Sequence, residues 1–139
     1  MQHDKLIGQV QARAKLPSRG EAERTVRATL ETLGERLPEG LADNLASVLP
    51  REIGEHLRRT EVMGGIGTGE RFDRHEFIAR VSERSGADPQ EAAYQARVVF
   101  EVLEEASSGG LMDRVRDALP PDLRELALAG STGDMHTHS

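Results

Sequence analysis

The sequence is poor in the residue types that carry much of protein chemistry. It has no cysteine or tryptophan, one tyrosine and three phenylalanines among 139 residues. Without cysteine, disulfides, thiolate zinc sites and cysteine nucleophiles are excluded. With so few aromatic rings, a stacking surface for single-stranded nucleic acid is not expected. The core must be mainly aliphatic, which favours packed helices over a β-sandwich.

Long hydrophobic runs are also missing. Residues 1–7 do not resemble a secretory signal, and no apolar stretch approaches the roughly 18 residues that a membrane span needs. We therefore expect a cytoplasmic protein with no membrane partner.

Negative charge is concentrated in one half of the chain. The formal net charge is -6; residues 1–72 hold 11 basic and 11 acidic side chains, whereas residues 73–139 hold 7 and 13. Duplex binding depends on cations that neutralise phosphates, so this balance argues against a nucleic-acid partner. The exception would be a local basic stripe formed by Arg13, Lys15, Arg19, Arg24, Arg58 and Arg59.

The chain contains an internal repeat. Residues 21–56 align with residues 91–126 at an offset of 70, and upstream the offset becomes 71. The one-residue change falls in the turn at 15–20, where insertions are tolerated. Identical pairs include Glu21/Glu91, Ala22/Ala92, Arg27/Arg97, Glu31/Glu101, Leu33/Leu103, Glu35/Glu105, Gly40/Gly110, Leu49/Leu119 and Pro50/Pro120. Such self-similarity indicates that one structural unit is used twice.

Each copy predicts four helices, because apolar residues recur at helical spacing between proline and glycine breaks. We expect an all-α fold in which two tandem four-helix repeats pack as one pseudo-twofold helical domain over residues 1–129. Repeat one spans 4–59, a glycine-rich connector spans 60–72, and repeat two spans 73–129. The tail 130–139 has no periodicity and is expected to be disordered.

Capping signals define the helix starts. Asp4 is the candidate N-cap of the first helix, and Ser18, Asp73 and Asp88 each precede a glutamate by three residues, which is typical of a capping box. Segment 98–103 is apolar almost all round, so its helix should be the most buried. Five side chains are expected in the core: Leu30, Leu33, Val99, Phe100 and Leu103.

Two motif pairs carry a family resemblance. Gly40-Leu41 is followed by Leu49-Pro50-Arg51-Glu52-Ile53, and Gly110-Leu111 by Leu119-Pro120-Pro121-Asp122-Leu123. The pattern resembles the bacterial family called domain of unknown function 2267, over about residues 4–128. This resemblance implies a fold but no activity, cofactor or catalytic residue.

A second resemblance covers only the first two helices. Residues 4–7, Leu16-Pro17-Ser18, Ala22 and Leu33 are similar to the N-terminal hairpin of bacterial histone-like HU proteins. In that family the hairpin dimerises while basic β-arms bind the minor groove. This acidic chain has no such arms, so common hairpin packing is the preferred interpretation.

Candidate chemistry is sparse. The connector's Gly64–Gly69 segment lacks the lysine and the preceding strand of a phosphate-binding loop, so it is interpreted as a flexible linker. Glu52 and His56 lie one turn apart but lack an obvious third metal ligand. No catalytic residue, cofactor site or metal site is assigned. The candidate interaction surface is the acidic group Glu101, Glu104 and Glu105.

Three functions remain open. The first is a non-enzymatic protein–protein interaction or scaffold module with an unknown partner, including self-association. The second is a small-ligand or lipid-binding regulator with a cleft between the repeats, and the third is a nucleoid-associated DNA-binding protein. An exposed apolar groove would favour the first, a cavity the second and a basic stripe the third.

Overall fold

In a computed structural model, the chain is all-helical over the residues that the structure describes, which are 1–62, 72–107 and 110–128. The helices are α1 (His3–Ala14), α2 (Arg19–Arg36), α3 (Glu39–Ser47), α4 (Arg51–Val62), α5 (Arg74–Ser85), α6 (Pro89–Ala106), α7 (Leu111–Asp117) and α8 (Pro121–Leu128). The described ranges contain no strand. None of their helices is both long and apolar enough to cross a bilayer.

Most predicted helix boundaries agree with the structure. The side chains of Ser18, Asp73 and Asp88 each accept a hydrogen bond from the backbone N–H three residues later. The predicted N-cap Asp4 is wrong, because α1 begins at His3 with Gln2 in the capping position. Helix α4 continues to Val62, past the predicted start of the connector at residue 60. The predicted Gly64–Gly69 linker and the 130–139 tail lie outside the described residues.

The core is mainly aliphatic and continuous from α1 to α8. All five predicted core side chains are buried, and in α6 the side chains of Val98, Val99, Phe100, Val102 and Leu103 are almost inaccessible. Helix α6 therefore has apolar contacts on most of its circumference, as segment 98–103 predicts.

The helices before and after the connector interlock. Helix α1 packs against both α2 and α6, while α5 packs against both α6 and α2. The outer helices α4 and α8 cover α2 and α6 respectively. Because α1 and α5 each contact both long helices, α2 and α6, the α1–α2 turn and the α5–α6 turn lie on opposite walls of one cleft.

Ion pairs link the two halves on either side of the helix core. Arg13 of α1 contacts Glu105 of α6 at 2.7 Å, and Arg84 of α5 contacts Glu35 of α2 at 2.6 Å. Burial alone would raise the pKa of Glu35, but hydrogen bonds and charge from Arg84 and Arg80 outweigh it and lower the pKa. The charged form of Glu35 is therefore favoured by folding.

Candidate binding cleft

A cleft of about 420 Å³ lies between the two halves. One wall is the end of α1 with its turn, at residues 14–17, and the other is the end of α5 with its turn, at residues 85–87. The first turns of α2 and α6 complete the cleft. Its volume lies within the range of about 300–1,000 Å³ that is usual for small-molecule sites.

The floor of the cleft is polar although it is buried. Thr25 and Gln95, aligned at the offset of 70, are 3% and 7% exposed and meet there. The Thr25 hydroxyl donates a long hydrogen bond of 3.4 Å to Oε1 of Gln95. The Gln95 amide nitrogen donates to no residue that the structure describes.

The free amide nitrogen of Gln95 faces the cleft rather than the sealed core. Among the described residues, only one buried side-chain nitrogen or oxygen lacks both a hydrogen-bond partner and contact with solvent, and it is the Arg97 Nε. The Gln95 amide does not share that condition, although its side chain is almost wholly buried. The cleft therefore offers two N–H donors from a preorganised side chain.

Four charged side chains surround this floor, two of each sign. Lys15 and Arg24 are the cations, and Glu21 and Glu91 are the anions; all four are exposed. Within the described part of the chain, none of them forms an ion pair. The opposite charges therefore remain separated around the cleft instead of neutralising each other directly.

The two aligned positions Arg24 and Tyr94 behave differently. The Tyr94 hydroxyl crosses the cleft and donates a 2.9 Å hydrogen bond to the carbonyl of Arg13. The Arg24 guanidinium extends to the opposite wall, where its Nη1 lies 3.8 Å from the position that a Cβ on Gly86 would take. No hydrogen bond occupies Arg24 among the described residues. The cleft thus has one tethered side and one with a free cation.

Lys15 adds a second unusual feature. Its backbone is left-handed, with a φ of 57°. Within the described ranges, Lys15 is the only residue other than glycine that has a positive φ, and the aligned Gly86 has a φ of 82°. A left-handed conformation is costly for a side chain with a Cβ, and glycine avoids that cost. The first half therefore has a lysine at a left-handed position, where the second half has glycine, the residue that adopts this conformation without cost.

The predicted acidic surface does not consist of free carboxylates. Glu101 and Glu105 both contact Arg13, and Glu104 contacts Arg116 at 2.6 Å. Hydrogen bonding to Arg13 is the main cause that lowers the pKa of Glu105. Glu104 and Glu105 remain about half exposed, whereas Glu101 is only 20% exposed. Their role as an interaction surface stays a prediction.

The other predicted sites are dispersed. Glu52 and His56 line a groove of about 340 Å³ with residues of α1 and α2. Over the part of the chain that is described, no group of three or more His, Cys, Asp or Glu residues is placed to hold a metal.

The six cations of the hypothetical basic stripe do not act alike. Arg13, Arg19 and Arg58 form ion pairs with acidic residues of this chain. Lys15 and Arg24 line the cleft, and the side chain of Arg59 lies outside the described part. The absence of a nucleic-acid partner stays a prediction, and these ion pairs reduce the positive charge available for one.

Comparison with known protein families agrees with the motif pattern. A family model described as uncharacterized conserved protein (DUF2267) matches residues 3–126. The chain belongs to the DUF2267 family. A comparison with curated proteins gives no match. The resemblance based on the Gly-Leu and Leu-Pro motifs is therefore confirmed, while the DUF2267 description assigns no ligand or reaction.

Sequence reasoning did not select the cleft residues. The available signal was a polar residue at the same position of the two aligned segments: Thr25 lies beside Ala22 and Val26, and Gln95 lies beside Ala92 and Ala96. A polar residue that interrupts a buried stripe twice at one offset indicates a shared polar site. The close approach of the two turns depends on the contacts of α1 with α6 and of α5 with α2, and hydrophobic periodicity does not predict which helices contact each other.

Proposed function

We propose that this chain is a non-enzymatic binding module that holds a small polar ligand in the cleft between the α1–α2 and α5–α6 turns. This corresponds to the second of the three functions that the sequence leaves open. The observation that carries it is the buried Gln95 side chain, whose free amide donors line a cleft of about 420 Å³. Because this nitrogen is open to the cleft, water or a polar ligand placed there can accept its hydrogen bonds.

Repeat architecture is part of the proposal. If the halves are copies related by a pseudo-twofold axis, a contact made by one half should recur with the halves exchanged. The pairs Arg13–Glu105 and Arg84–Glu35 satisfy this relation at offsets of 71 and 70. Superposition of residues 4–57 on 75–127 tests the arrangement, and a different helix packing order in the two halves would refute it.

The binding role is tested by nuclear magnetic resonance with the full chain and a library of polar metabolites. Ligands should shift the backbone amides of residues 14–16 and 85–87 in a saturable manner. The variant Ala87→Leu adds three carbons at the cleft wall and should weaken binding. Its control is Ala12→Leu, which adds the same atoms at an exposed position of α1 outside the cleft. Absence of saturable binding, or binding that maps elsewhere, contradicts the proposal.

A second candidate function is the protein–protein interaction or scaffold role. It is favoured by a groove of about 300 Å³ over α5 and α6, lined mainly by Ile78, Ala79, Pro89 and Ala93. The net charges of the two halves differ by six, and the half that carries this groove is the negative one. Charge complementarity therefore favours a basic amphipathic helix of a partner protein as the occupant.

A synthetic amphipathic helix with lysines on its polar face tests this second role. Titration should shift amides of α5 and α6, and Ile78→Glu should abolish the shifts. Val48→Glu is the matched control, because Val48 is an exposed apolar residue of the other half at 44% exposure. Equal effects of the two substitutions, or no shifts with the wild-type chain, would exclude this groove as the docking site.

A further inference from the structure

We propose that the ligand of this cleft is a small zwitterion, a molecule that bears both a carboxylate and a protonated amine, such as a free amino acid or a dipeptide. The inference rests on the proposed function and specifies its ligand class. It is carried by the two unpaired cations and two unpaired carboxylates around a buried polar floor.

Charge balance selects this class over simpler ions. The side chains of Lys15 and Arg24 attract a carboxylate, but Glu21 and Glu91 oppose a molecule that has only negative charge. The reverse holds for a simple cation. A zwitterion satisfies both signs at once, because its two charged groups are held apart on one small framework.

The uncharged groups match the same ligand. Between the charged groups of an amino acid or a dipeptide lies polar backbone, which needs both hydrogen-bond donors and acceptors. The Gln95 amide nitrogen supplies donors at the floor, and the Thr25 hydroxyl beside it has acceptor capacity. Arg24 supplies a planar, multidentate donor suited to a carboxylate.

The cleft has one fixed side and one open side. Tyr94 is already tethered to the carbonyl of Arg13, so its ring forms a fixed side of the cleft. Gly86 has no side chain on the opposite wall, where Arg24 extends. A ligand carboxylate near Arg24 would therefore approach the α5–α6 backbone without a steric barrier from Gly86.

The experiment uses the full chain and three matched probes. Glycylglycine carries both charges, N-acetylglycylglycine lacks the amine charge, and glycylglycine amide lacks the carboxylate. Glycylglycine should shift amides at residues 14–16 and 85–87, and each blocked probe should bind at least about tenfold more weakly, the loss expected for one charge-assisted contact. Free glycine as a fourth probe distinguishes an amino-acid site from a dipeptide site by the tighter binder.

Charge-neutral variants assign the contacts. Arg24→Gln should reduce the affinity for glycylglycine and leave the already weak binding of the amide nearly unchanged. Glu91→Gln should also reduce the affinity for glycylglycine, but it should leave the weak binding of the acetylated probe nearly unchanged. Arg27→Gln and Glu83→Gln are controls on the same two halves outside the cleft. Glu91→Gln preserves the polar residue at the third position of α6.

The possible results are separable. Equal affinity for glycylglycine and one blocked probe overturns the zwitterion assignment but leaves the binding role intact. Saturable binding at the cleft of metabolites that are not zwitterions, without any response to glycylglycine or glycine, has the same meaning. If no compound binds at the cleft, both the ligand class and the proposed function fail.

Discussion

The two halves of the chain align in sequence but pack their outer helices by different means. In the first half, Gly34 of α2 faces the backbone of α4: a Cβ added there would lie 2.5 Å from the Leu57 carbonyl oxygen. The aligned residue in the second half is Glu104, which is exposed and contacts Arg116. The first half therefore uses close backbone contact where the second half has a charged surface.

The same contrast occurs one helix further on. A Cβ on Gly54 would lie 2.6 Å from the carbonyl oxygen of Ala46, so α3 and α4 cross closely. The aligned pair is Arg124 and Arg116, and there the Arg124 Nε donates a 3.1 Å hydrogen bond to the Arg116 carbonyl. In the second half a long arginine side chain donates to the carbonyl, whereas in the first half the glycine lets the two helix backbones approach each other directly.

Aromatic content differs in the inner helices. The second half stacks Phe77 on Phe100, with ring centroids 6.1 Å apart, whereas the aligned residues Leu6 and Leu30 are both aliphatic. The comparison indicates that one helix order can be stabilised by backbone proximity or by larger side chains. Four predictions test it, from the largest expected effect to the smallest.

Truncation of the aromatic pair should have the largest effect. Phe100→Ala should lower the free energy of unfolding by about 3–5 kcal/mol, because it removes buried area and leaves a cavity. Leu30→Ala should cost about 2–5 kcal/mol but less than Phe100→Ala, since it loses no ring–ring contact. Denaturant unfolding with equal m-values measures both. A loss below about 1 kcal/mol for Phe100→Ala would show that α6 is not central.

Backbone proximity in the first half is tested by Gly34→Ala. Alanine ordinarily stabilises a helix interior by about 0.5–1 kcal/mol relative to glycine. At Gly34 the added methyl group meets backbone, so α2 and α4 must separate, and we expect a loss of about 1–3 kcal/mol. Gly8→Ala on α1 is the control: apart from its chain neighbours and its own helix backbone, no atom lies within 4 Å of the added Cβ, so it should stabilise. A stabilising Gly34→Ala would contradict the close packing.

Sequence reasoning predicted the parts of this architecture that depend on local chemistry. Capping boxes at Ser18, Asp73 and Asp88 and the core position of Phe100 follow from side-chain spacing, because each acts within a few residues of chain. The contacts of α1 with α6 and of α5 with α2, and the cleft at Lys15, join residues far apart in the chain: the Arg84–Glu35 contact spans 49 positions and the Arg13–Glu105 contact spans 92. No local pattern specifies such contacts; the paired identities at fixed offset indicate a repeat but not its interface.

Acid should weaken one inter-half contact more than the other. The lowered pKa of Glu35 means that its ionised form is stabilised by folding, so this contribution is complete at neutral pH and is lost as the pH falls below the ordinary glutamate range of roughly 4.3. Glu105 has the same direction but is more exposed, so solvent screens it. Glu35→Gln should therefore flatten the acid limb of stability against pH more than Glu105→Gln. Equal slopes for both variants would show that burial does not distinguish the pairs.

The smallest effect concerns the two aligned turn residues of the cleft. Lys15→Gly relieves a left-handed conformation but increases the freedom of the unfolded chain, so we expect a gain of less than about 1 kcal/mol. Gly86→Ala, the reciprocal change, should cost about 1 kcal/mol, because it forces alanine to a φ of 82°. Thermal and denaturant unfolding give both values.

A second measurement on the same variants separates conformational cost from ligand binding. Lys15→Gly should be more stable yet bind glycylglycine more weakly, since the substitution removes a cation at the edge of the cleft. If Lys15 has no part in binding, the affinity should not change. Lys15→Asn is the matched control for charge: asparagine tolerates the left-handed region without the backbone freedom of glycine. Equal losses of affinity in the two variants would assign the effect to the missing ammonium group. Unchanged affinity in both would remove Lys15 from the ligand site and leave its left-handed conformation without a binding role.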